Sequence, residues 1–563
     1  MNSKSRTNER WYTIARNIAL VVAIFSSILS MLLIVNFIQT KSIDPLNSKA
    51  LNQLMLQLQK DPENTALKEQ IRALDLLARK AYFTYQWQIR TGSLLLFFFV
   101  LILILCLKYI NSLRSKVPEL LESEDIIASW EQRILMRRSL WYGGLVIFLL
   151  AFIAGILSER EIGNTGFETN ESSDDNYMEK SKVNWPAFRG PGGNGIAYTS
   201  GYPTEWDGTT GKNIKWKIEV PKPGYNSPII WGDLLFMAGA DKTSQVVYGI
   251  DTVSGKILWQ TELNNIPGSP EAPPRVSNDT GYAAPTMTTD GNYVFVIFAT
   301  GDIACLDFTG AVVWAKNLGA PDNHYGHSSS LMVWKSAVLV QYDNNSTREL
   351  IALDTASGNV VYRTPRKVQI SWASPILVNT GNRMEIILNS NPFVISYNPE
   401  NGKELWRVEC MEGEVAPSPS YSDGMVFVVN EYARLAAIAL GEKAELKWET
   451  EDDLSEVASP VADKGLLFMP TAYGVVTCFD AKSGEKYWLH EFDDGFYSSP
   501  VIVDNMVYLI DVKGVMQIFN AKNEFQLINQ SPIGEDAVTI PAFSGKNIFI
   551  RGVKNLYCIG KLE

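Results

Sequence analysis

A repeated unit of about 42 residues fills the last two-thirds of this 563-residue chain and constrains its fold more than any other feature. Each unit opens with a small residue, in most cases followed by proline, and then continues as an alternating or continuous apolar run. The openings are Ser227-Pro228, Ala284-Pro285, Ser374-Pro375, Ser418-Pro419, Ser459-Pro460 and Ser499-Pro500, with Ser328-Ser329 and Ile540-Pro541 at the two remaining places. A fixed period of this length is typical of β-propeller blades.

A second landmark ends most units, an Asp-x-x-Ser/Thr-Gly turn followed by an aromatic residue. The aspartate can accept hydrogen bonds from the turn amides, and the glycine can adopt the positive φ that closes the turn. The tryptophan that follows is large enough to fill the wedge between neighbouring blades. The glycines are Gly255, Gly310, Gly358, Gly402 and Gly484, and the tryptophans are Trp259, Trp314, Trp406, Trp448 and Trp488. The repeat therefore predicts four short strands per unit.

The number of units predicts an eight-bladed, all-β propeller over residues 183–563. The last unit runs out after Cys558, which leaves room for only three strands. The missing outer strand is predicted at 213–219, because Trp216 precedes Pro228 by the same spacing that separates Trp448 from Pro460. Closing the last blade with this early strand would remove the exposed sheet edge. A seven-bladed ring is the alternative.

The lead-in to the first unit carries a further motif, Trp185-Pro186-Ala187-Phe188-Arg189-Gly190-Pro191-x-Gly193-Asn194-Gly195. Together with the repeats, it resembles the pyrroloquinoline-quinone (PQQ)-type propeller family, the quinoprotein alcohol dehydrogenase-like proteins. The resemblance covers residues 183–563 and implies a propeller of the quinoprotein type. It implies less about activity, because the family contains both dehydrogenases and non-enzymatic members of the BamB type.

The parts that the resemblance would require of an enzyme are not recognisable in this chain. Family dehydrogenases carry adjacent cysteines, a Ca²⁺ site of carboxylate and amide oxygens, and a catalytic aspartate, whereas no two of the five cysteines here are adjacent. The chain therefore looks closest to the BamB-like members, and we expect no catalytic residue, no PQQ and no Ca²⁺. The absence of a CxxC motif gives no support for iron–sulfur, zinc or haem c binding.

Three long apolar segments precede the repeats, at about 17–37, 91–107 and 139–158, and each approaches the length of a membrane-spanning helix. Lysine and arginine before the first segment and between the second and third place both regions on the cytoplasmic side. Residues 1–158 are therefore predicted to form a three-span helical anchor, with an external helical hairpin at 46–90. The acidic segment 159–182 is predicted to be a flexible linker.

A pair of histidines is the sharpest candidate for metal chemistry. His324 and His327 lie together in an inter-blade segment, and Asp322 could supply a third ligand. The alternative is that both are loop histidines that bond backbone groups.

The remaining candidates lie on inter-blade loops, where ligand or partner contacts are common in propellers. Arg275 falls in the longest insertion, 260–283, which is rich in proline and asparagine. Six further residues are candidates for lining the central opening of the propeller, its funnel, or for contacting a partner. They are Arg366, Trp372, Glu414, Glu456, Tyr497 and Asp536. The alternative for all of them is that they are solvated at the rim of the propeller or pack against neighbouring residues.

Charge and organisation favour a binding role over catalysis. A net charge of −11 argues against nucleic acid as a partner, since phosphate binding needs a concentrated basic face. The leading hypothesis is a scaffold of the bacterial cell envelope, held in the lipid of the cytoplasmic membrane, with its propeller presented to a protein or ligand on the periplasmic or extracytoplasmic side. The alternatives are a quinone- or metal-binding oxidoreductase or electron-transfer subunit, and a ligand sensor.

Overall fold

The computed structural model describes residues 15–27, 29–31, 92, 95–96, 98–100, 102–110, 171–441 and 443–561. The chain divides into two compact units, Met1–Asn170 and Glu171–Glu563. Within the described residues, no helix combines the length and the apolar character needed to cross a membrane. The predicted hairpin 46–90, the third predicted span and residues 159–170 of the predicted linker lie outside the described residues, and the first two spans are described in part. The three-span anchor therefore stays a prediction.

The second unit begins with a helix and a short 3₁₀ turn, which are followed by eight four-stranded antiparallel sheets. The helix α1 is Glu171–Lys182, and the 3₁₀ turn is Pro191–Gly193. Blades 1 and 2 contain β2 Ile229–Trp231, β3 Leu234–Ala240, β4 Gln245–Asp251 and β5 Ile257–Glu262, then β6 Thr288–Thr289, β7 Tyr293–Ile297, β8 Asp302–Asp307 and β9 Val312–Asn317. Blades 3 and 4 contain β10 Met332–Trp334, β11 Ala337–Asp343, β12 Arg348–Asp354 and β13 Val360–Pro365, then β14 Ile376–Asn379, β15 Met384–Asn389, β16 Phe393–Tyr397 and β17 Glu404–Glu409.

The remaining four blades follow the same order from the innermost to the outermost strand. Blades 5 and 6 contain β18 Ser420–Ser422, β19 Met425–Val429, β20 Leu435–Ala439 and β21 Glu445–Thr450, then β22 Val461–Asp463, β23 Leu466–Pro470, β24 Val475–Asp480 and β25 Lys486–Glu491. Blades 7 and 8 contain β26 Val501–Val503, β27 Met506–Ile510, β28 Val515–Asn520 and β29 Leu527–Pro532, then β30 Ala542–Ser544, β31 Asn547–Arg551, β32 Asn555–Ile559 and β1 Ile214–Glu219.

The eighth blade joins the two ends of the propeller, as the sequence predicts. Strand β1 pairs antiparallel with β32, and Trp216 lies opposite Cys558. The eight-bladed prediction is confirmed, and the seven-bladed alternative is wrong. The physical reason for the closure is that β32 would otherwise expose unpaired backbone groups along the edge of the last sheet.

Five of the eight wedges between blades are filled by an outer-strand aromatic residue that packs on a glycine turn of the next blade. Trp259 donates its indole N–H to the Phe308 carbonyl at 2.8 Å, and its ring lies over Gly310. A Cβ at Gly310 would come within 2.6 Å of the Trp259 ring, so a side chain there has no space. The other pairs of this kind are Trp216 on Gly255, Trp314 on Gly358, Tyr362 on Gly402 and Trp448 on Gly484. The repeated glycine is therefore required by its neighbouring blade as well as by its own turn.

A ring of hydroxyl residues ties the blade openings together. The backbone N–H of Ser374, for example, donates to Ser418 Oγ at 2.8 Å, one blade further on. The same geometry identifies Thr286 and Ser330 as the openings of blades 2 and 3. The sequence markers Ala284-Pro285 and Ser328-Ser329 therefore lie two residues too early, because the hydroxyl acceptor, and not the proline, defines the position. The ring hydroxyls belong to Ser227, Thr286, Ser330, Ser374, Ser418, Ser459 and Ser499.

The structure differs from the sequence expectation in the second half of the predicted linker. Residues 171–182 form α1, which is attached to the propeller by an aromatic contact and a hydrogen bond. Tyr177 stacks on Trp231 with a ring-centroid distance of 5.4 Å, and its hydroxyl donates to the Thr289 carbonyl at 2.9 Å. An aromatic stack and a buried hydrogen bond can hold a polar helix that composition alone predicts to be unfolded.

The lead-in that follows α1 runs along the innermost strands and crosses the central channel. Its hydrogen bonds reach blades on all sides of the ring, which places residues 185–197 at the propeller axis. These bonds join Trp185 to Ile230, Pro186 to Thr289, Asn194 to Tyr421 and Ala197 to Ile502.

Candidate functional site

The topology gives the propeller two different faces. In an antiparallel blade, the turn between the first two strands and the connection to the next blade lie at opposite ends of the strands. We call the end with the first-to-second-strand turns the turn face, and the end with the inter-blade connections the loop face. Helix α1 packs at Trp231 and Thr289, where the first strands of blades 1 and 2 end. The chain therefore enters the propeller at the turn face.

Three inter-blade loops meet at one point of the loop face. His324 Nε2 lies 3.0 Å from Glu414 Oε1, which joins the loop after blade 2 to the loop after blade 4. Trp372, from the loop between them, packs its ring 5.3 Å from the His324 ring and 5.2 Å from the Tyr325 ring. The structure thus brings together three residues that the sequence analysis singled out, His324, Trp372 and Glu414.

The long insertion after blade 1 is held against this cluster and against blade 2. The Ser277 amide donates to the Tyr325 carbonyl at 2.9 Å, and Ser269 Oγ donates to Asp302 Oδ2 at 2.8 Å. Arg275 is exposed on the insertion. A polar pocket of ≈ 320 Å³ lies between the insertion and the second-to-third-strand loops of blades 1 and 2, and Gln245 and Asp302 are among the residues that line it.

The two histidines of the candidate metal site lie in different environments. His324 is exposed, whereas His327 is 2% exposed and packs its ring 5.2 Å from that of Tyr342. Burial lowers the pKa of His327 to about 4, so its imidazole is neutral near pH 7. Asp322 is exposed. Over the described ranges, no group of three histidine, cysteine or acidic side chains is arranged to hold a metal ion.

Two of the residues proposed for partner contact are interior residues. Arg366 Nη1 lies 2.5 Å from Asp343 Oδ2, and neither side chain has any exposed surface. Arg366 Nη2 also donates to Ser390 Oγ at 2.8 Å. Trp372 is buried beneath His324 and Tyr325 and donates its indole N–H to Asn323 Oδ1 at 2.9 Å. Arg366 therefore ties blades 3 and 4 together, which is the packing alternative, and a role for it in ligand or partner binding stays a prediction.

Exposed tyrosines and half-buried glutamates from blades 5 and 6 form a further patch on the loop face. Tyr432 and Tyr473 belong to second-to-third-strand loops and are 89% and 53% exposed. A hydrogen bond to Glu431 raises the pKa of Tyr432, and burial followed by the charges of Asp453 and Glu456 raises the pKa of Tyr473. We call the set Glu431, Tyr432, Glu456, Val457 and Tyr473 the acidic tyrosine patch.

The acidic tyrosine patch is built on hydrogen-bonded turns and carries two glutamates. Tyr432 has φ +58°, an unusual value for a residue without a glycine's freedom, in a turn closed by the Ala433-to-Asn430 hydrogen bond. Glu456 accepts a hydrogen bond from the Ala472 amide at 2.9 Å. Neither Glu431 nor Glu456 forms an ion pair with any residue that the structure describes. Tyr497 and Asp536, also predicted as loop residues, are exposed on neighbouring loops.

Sequence reasoning found Glu456 but missed both tyrosines of the patch. It considered only the connections between blades, although the loops between the second and third strands end on the same face. A tyrosine in the short polar turn between two apolar strands, as in Asn430-Glu431-Tyr432-Ala433-Arg434, was the available signal.

Comparison with known families identifies the propeller. A PQQ_2 family model, described as outer membrane protein assembly factor BamB, matches residues 180–326, 346–461 and 454–530. Together these matches cover more than half of the chain. The chain belongs to this family.

Individual relatives of this BamB-family propeller are distant. BamB of Salmonella typhimurium is 24% identical over 279 residues, a match that covers 46% of this chain and 69% of that protein. The structure of a quinohemoprotein alcohol dehydrogenase from Comamonas testosteroni is 12% identical, with a TM-score of 0.52 over 69% of this chain and 83% of that chain. A europium-containing methanol dehydrogenase is 11% identical, with a TM-score of 0.50 over 68% of this chain and 92% of that chain. At such identities the structural likeness shows the fold.

The described cysteines of this BamB-family propeller are suited to packing and not to redox chemistry. Cys305, Cys410, Cys478 and Cys558 are free and buried. Burial raises the pKa of Cys410, Cys478 and Cys558 to about 12, so the reactive thiolate is strongly disfavoured at neutral pH. That the chain binds neither PQQ nor Ca²⁺ stays a prediction from the sequence.

Proposed function

We propose that this protein is a scaffold of the cell envelope, anchored by its three apolar N-terminal segments in the cytoplasmic membrane, and that its propeller binds a protein partner outside that membrane through the loop face. The observation that carries the proposal is the division between the two faces. The chain enters at the turn face, and the loop face carries exposed tyrosines beside glutamates that form no ion pair within the described part of the chain. The family match to an outer membrane assembly factor supports the same class of function.

The acidic tyrosine patch has the chemistry of a protein-binding surface. Tyrosine is enriched in interfaces because it buries a large apolar ring at a small cost in side-chain entropy and keeps a polar hydroxyl. Tyr432 and Tyr473 offer two such rings on loops from neighbouring blades. Glu431 and Glu456 beside them favour a partner that presents lysine or arginine, through ion pairs and cation–π contacts.

The membrane part of the proposal comes from hydropathy and charge. The segments at about 17–37, 91–107 and 139–158 are of a length and composition that a bilayer can accept, and flanking basic residues favour a cytoplasmic N-terminus. An odd number of spans would place the propeller on the opposite side from the N-terminus. With this arrangement, the propeller and its loop face would lie outside the cytoplasmic membrane.

Photo-crosslinking in intact cells tests the proposal. A photoreactive phenylalanine replaces Tyr432 on the loop face. As the control, it replaces Tyr198, which directly follows the lead-in and is 55% exposed. We expect position 432 to capture a discrete envelope protein and position 198 to capture none. In the full chain purified in mild detergent, Tyr432→Ala and Tyr473→Ala should each weaken binding of that partner about tenfold, as interface tyrosines typically do.

The control variant decides between a specific surface and a general loss of stability. Tyr198→Ala removes a ring that is about as exposed as that of Tyr473 and should leave the affinity unchanged. Equal weakening by all three substitutions, or crosslinks at position 198 alone, would contradict binding through the loop face.

A further inference from the structure

The central channel holds a buried positive charge without a carboxylate. Arg189, from the lead-in, is 0% exposed. Its Nη1 donates to the Pro419 carbonyl at 2.7 Å and its Nη2 donates to the Pro460 carbonyl. Its Nε–H has no acceptor among the residues that the structure describes. Burial of an uncompensated charge is costly, so this arginine requires an explanation.

Two other buried arginines show how the same chain satisfies a guanidinium. Arg366 is paired with Asp343. Arg551 donates to the carbonyl oxygens of Lys222, Asn226 and Ala238 and to Asn226 Oδ1. Arg189 has neither a carboxylate nor such a full set of acceptors.

The ring of blade-opening hydroxyls surrounds the channel and is rich in donors. Each ring oxygen accepts a backbone N–H from the neighbouring blade, as Ser459 Oγ does from the Ser418 amide at 2.9 Å. Within residues 171–561 as described, none of the seven ring hydroxyls donates a hydrogen bond of its own. All seven are buried, so bulk water does not readily supply the acceptor.

Arg189 reaches this ring directly. The carbonyl groups that it contacts belong to Pro419 and Pro460, which immediately follow the ring residues Ser418 and Ser459. The eight innermost strands contain a single carboxylate, Asp463, at the last position of β22, where Lys464 lies 3.6 Å away. Among the described innermost strands, the surroundings of Arg189 therefore combine a cation and free hydroxyl donors with no carboxylate other than Asp463.

We propose that the central channel binds a small inorganic anion between Arg189 and the adjacent ring hydroxyls of Ser418 and Ser459. An anion would accept the unused N–H and O–H donors and neutralise the guanidinium. The lowered pKa of Arg189, about 9, has desolvation as its cause, and a bound anion would remove much of that penalty. This site is independent of the loop-face partner, and either proposal can fail without the other.

Chloride-dependent stability of the full chain in detergent is the first test. Thermal unfolding is followed by tryptophan fluorescence in sodium chloride and in sodium gluconate at equal ionic strength, since gluconate is too bulky to replace chloride in a small site. We expect Tm to rise by about 2–4 °C in chloride, with saturation, as binding to the native state requires. The rise should fall by half or more in Ser418→Ala and Ser459→Ala and vanish in Arg189→Met.

Controls separate the site from general salt effects and from misfolding. Ser483→Ala, in an exposed turn, should keep the full chloride-dependent rise. If Arg189→Met does not fold, the two serine variants decide the question, because each is compared with itself in the two salts. Crystals grown in bromide should show an anomalous peak beside Arg189. An equal Tm in both salts for the wild type, a rise that survives in both serine variants, or bromide peaks confined to the surface would overturn the proposal.

Discussion

At the scale of single residues, the propeller depends on polar groups that are buried in defined positions. Serine at a blade opening accepts the amide of the preceding blade, and alanine or valine could not do so. The eighth opening is Ile540, which has no hydroxyl, and its amide still donates to Ser227 Oγ at 2.9 Å. The series of hydrogen bonds therefore continues from blade 8 to blade 1, and the one acceptor that is missing is the hydroxyl that would face blade 7.

His327 makes stability depend on pH. Its pKa is about 4 in the folded protein because it is buried, against an ordinary value of 6.5 when unfolded. Between these two pKa values, His327 is protonated in the unfolded chain but neutral in the folded chain. The free energy of unfolding therefore rises with pH across this window and falls as the pH is lowered. The wild type should lose about 3 kcal/mol from this residue between pH 7 and pH 4.

Denaturant unfolding of wild type and His327→Gln at pH 7 and pH 4.5 measures this contribution. The variant should lose less stability over the interval than the wild type, whatever its stability at pH 7. Parallel pH dependences in the two proteins would show that the imidazole is not kept neutral by the fold.

At the scale of strands and turns, the blade-to-blade contacts explain the composition of the repeat. The second and third strands are buried almost throughout, since neighbouring blades cover both of their faces, whereas outer strands such as β5 and β25 alternate between covered and exposed residues. The aromatic residue of an outer strand then needs a flat surface on the next blade, which a glycine turn provides.

Substitution of that glycine should be far more damaging than substitution of a glycine with similar backbone geometry in open space. Gly310 has φ +88° and lies under Trp259, whereas Gly319 has φ +97° and no atom within 4 Å of its hypothetical Cβ. Gly319→Ala measures backbone strain alone. Gly310→Ala should cost about 1–3 kcal/mol more in the free energy of unfolding, because the Trp259 ring must move. Equal losses in the two variants would refute the packing role.

At the scale of the whole molecule, the propeller is a closed ring whose two chain ends share one sheet. Trp216 of β1 donates its indole N–H to the Thr252 carbonyl of blade 1 at 2.9 Å, so the closing strand also joins blade 8 to blade 1. Closure covers the edge that β32 would otherwise expose and gives the last blade the same four strands as the others.

Hydrogen exchange of the full chain tests closure. Amides of β1 should exchange about as slowly as those of β32, because the two strands open together. Trp216→Ala should speed exchange in both strands at least tenfold. Trp488→Ala, which removes the equivalent contact between blades 6 and 7, should leave β1 protected. Rapid exchange of β1 beside a protected β32 in the wild type would contradict a closed ring.

Much of the fold was predictable because the repeat is a local pattern. Blade number, the closing strand at Trp216 and the wedge tryptophans follow from spacing, apolar runs and turn chemistry. The candidate site was less predictable. His324, Trp372 and Glu414 were found but not their mutual contact, since they come from three separate loops. For Arg366 the sequence left binding and packing open, because its partner Asp343 lies on a different strand.

The sequence by itself determined the eight-bladed ring, because most units of the repeat carry their own strands, turn glycine and wedge residue, and the strand that the last unit lacks is recognisable at Trp216. Only the tertiary structure decided which groups become neighbours at the axis and on the loop face. It placed Arg189 beside Ser418 and Ser459, more than two hundred residues away, and Tyr432 near Glu456. The physical reason is that strand formation depends on local periodicity, whereas burial of a charge or exposure of a ring depends on which distant segments the closed ring brings together.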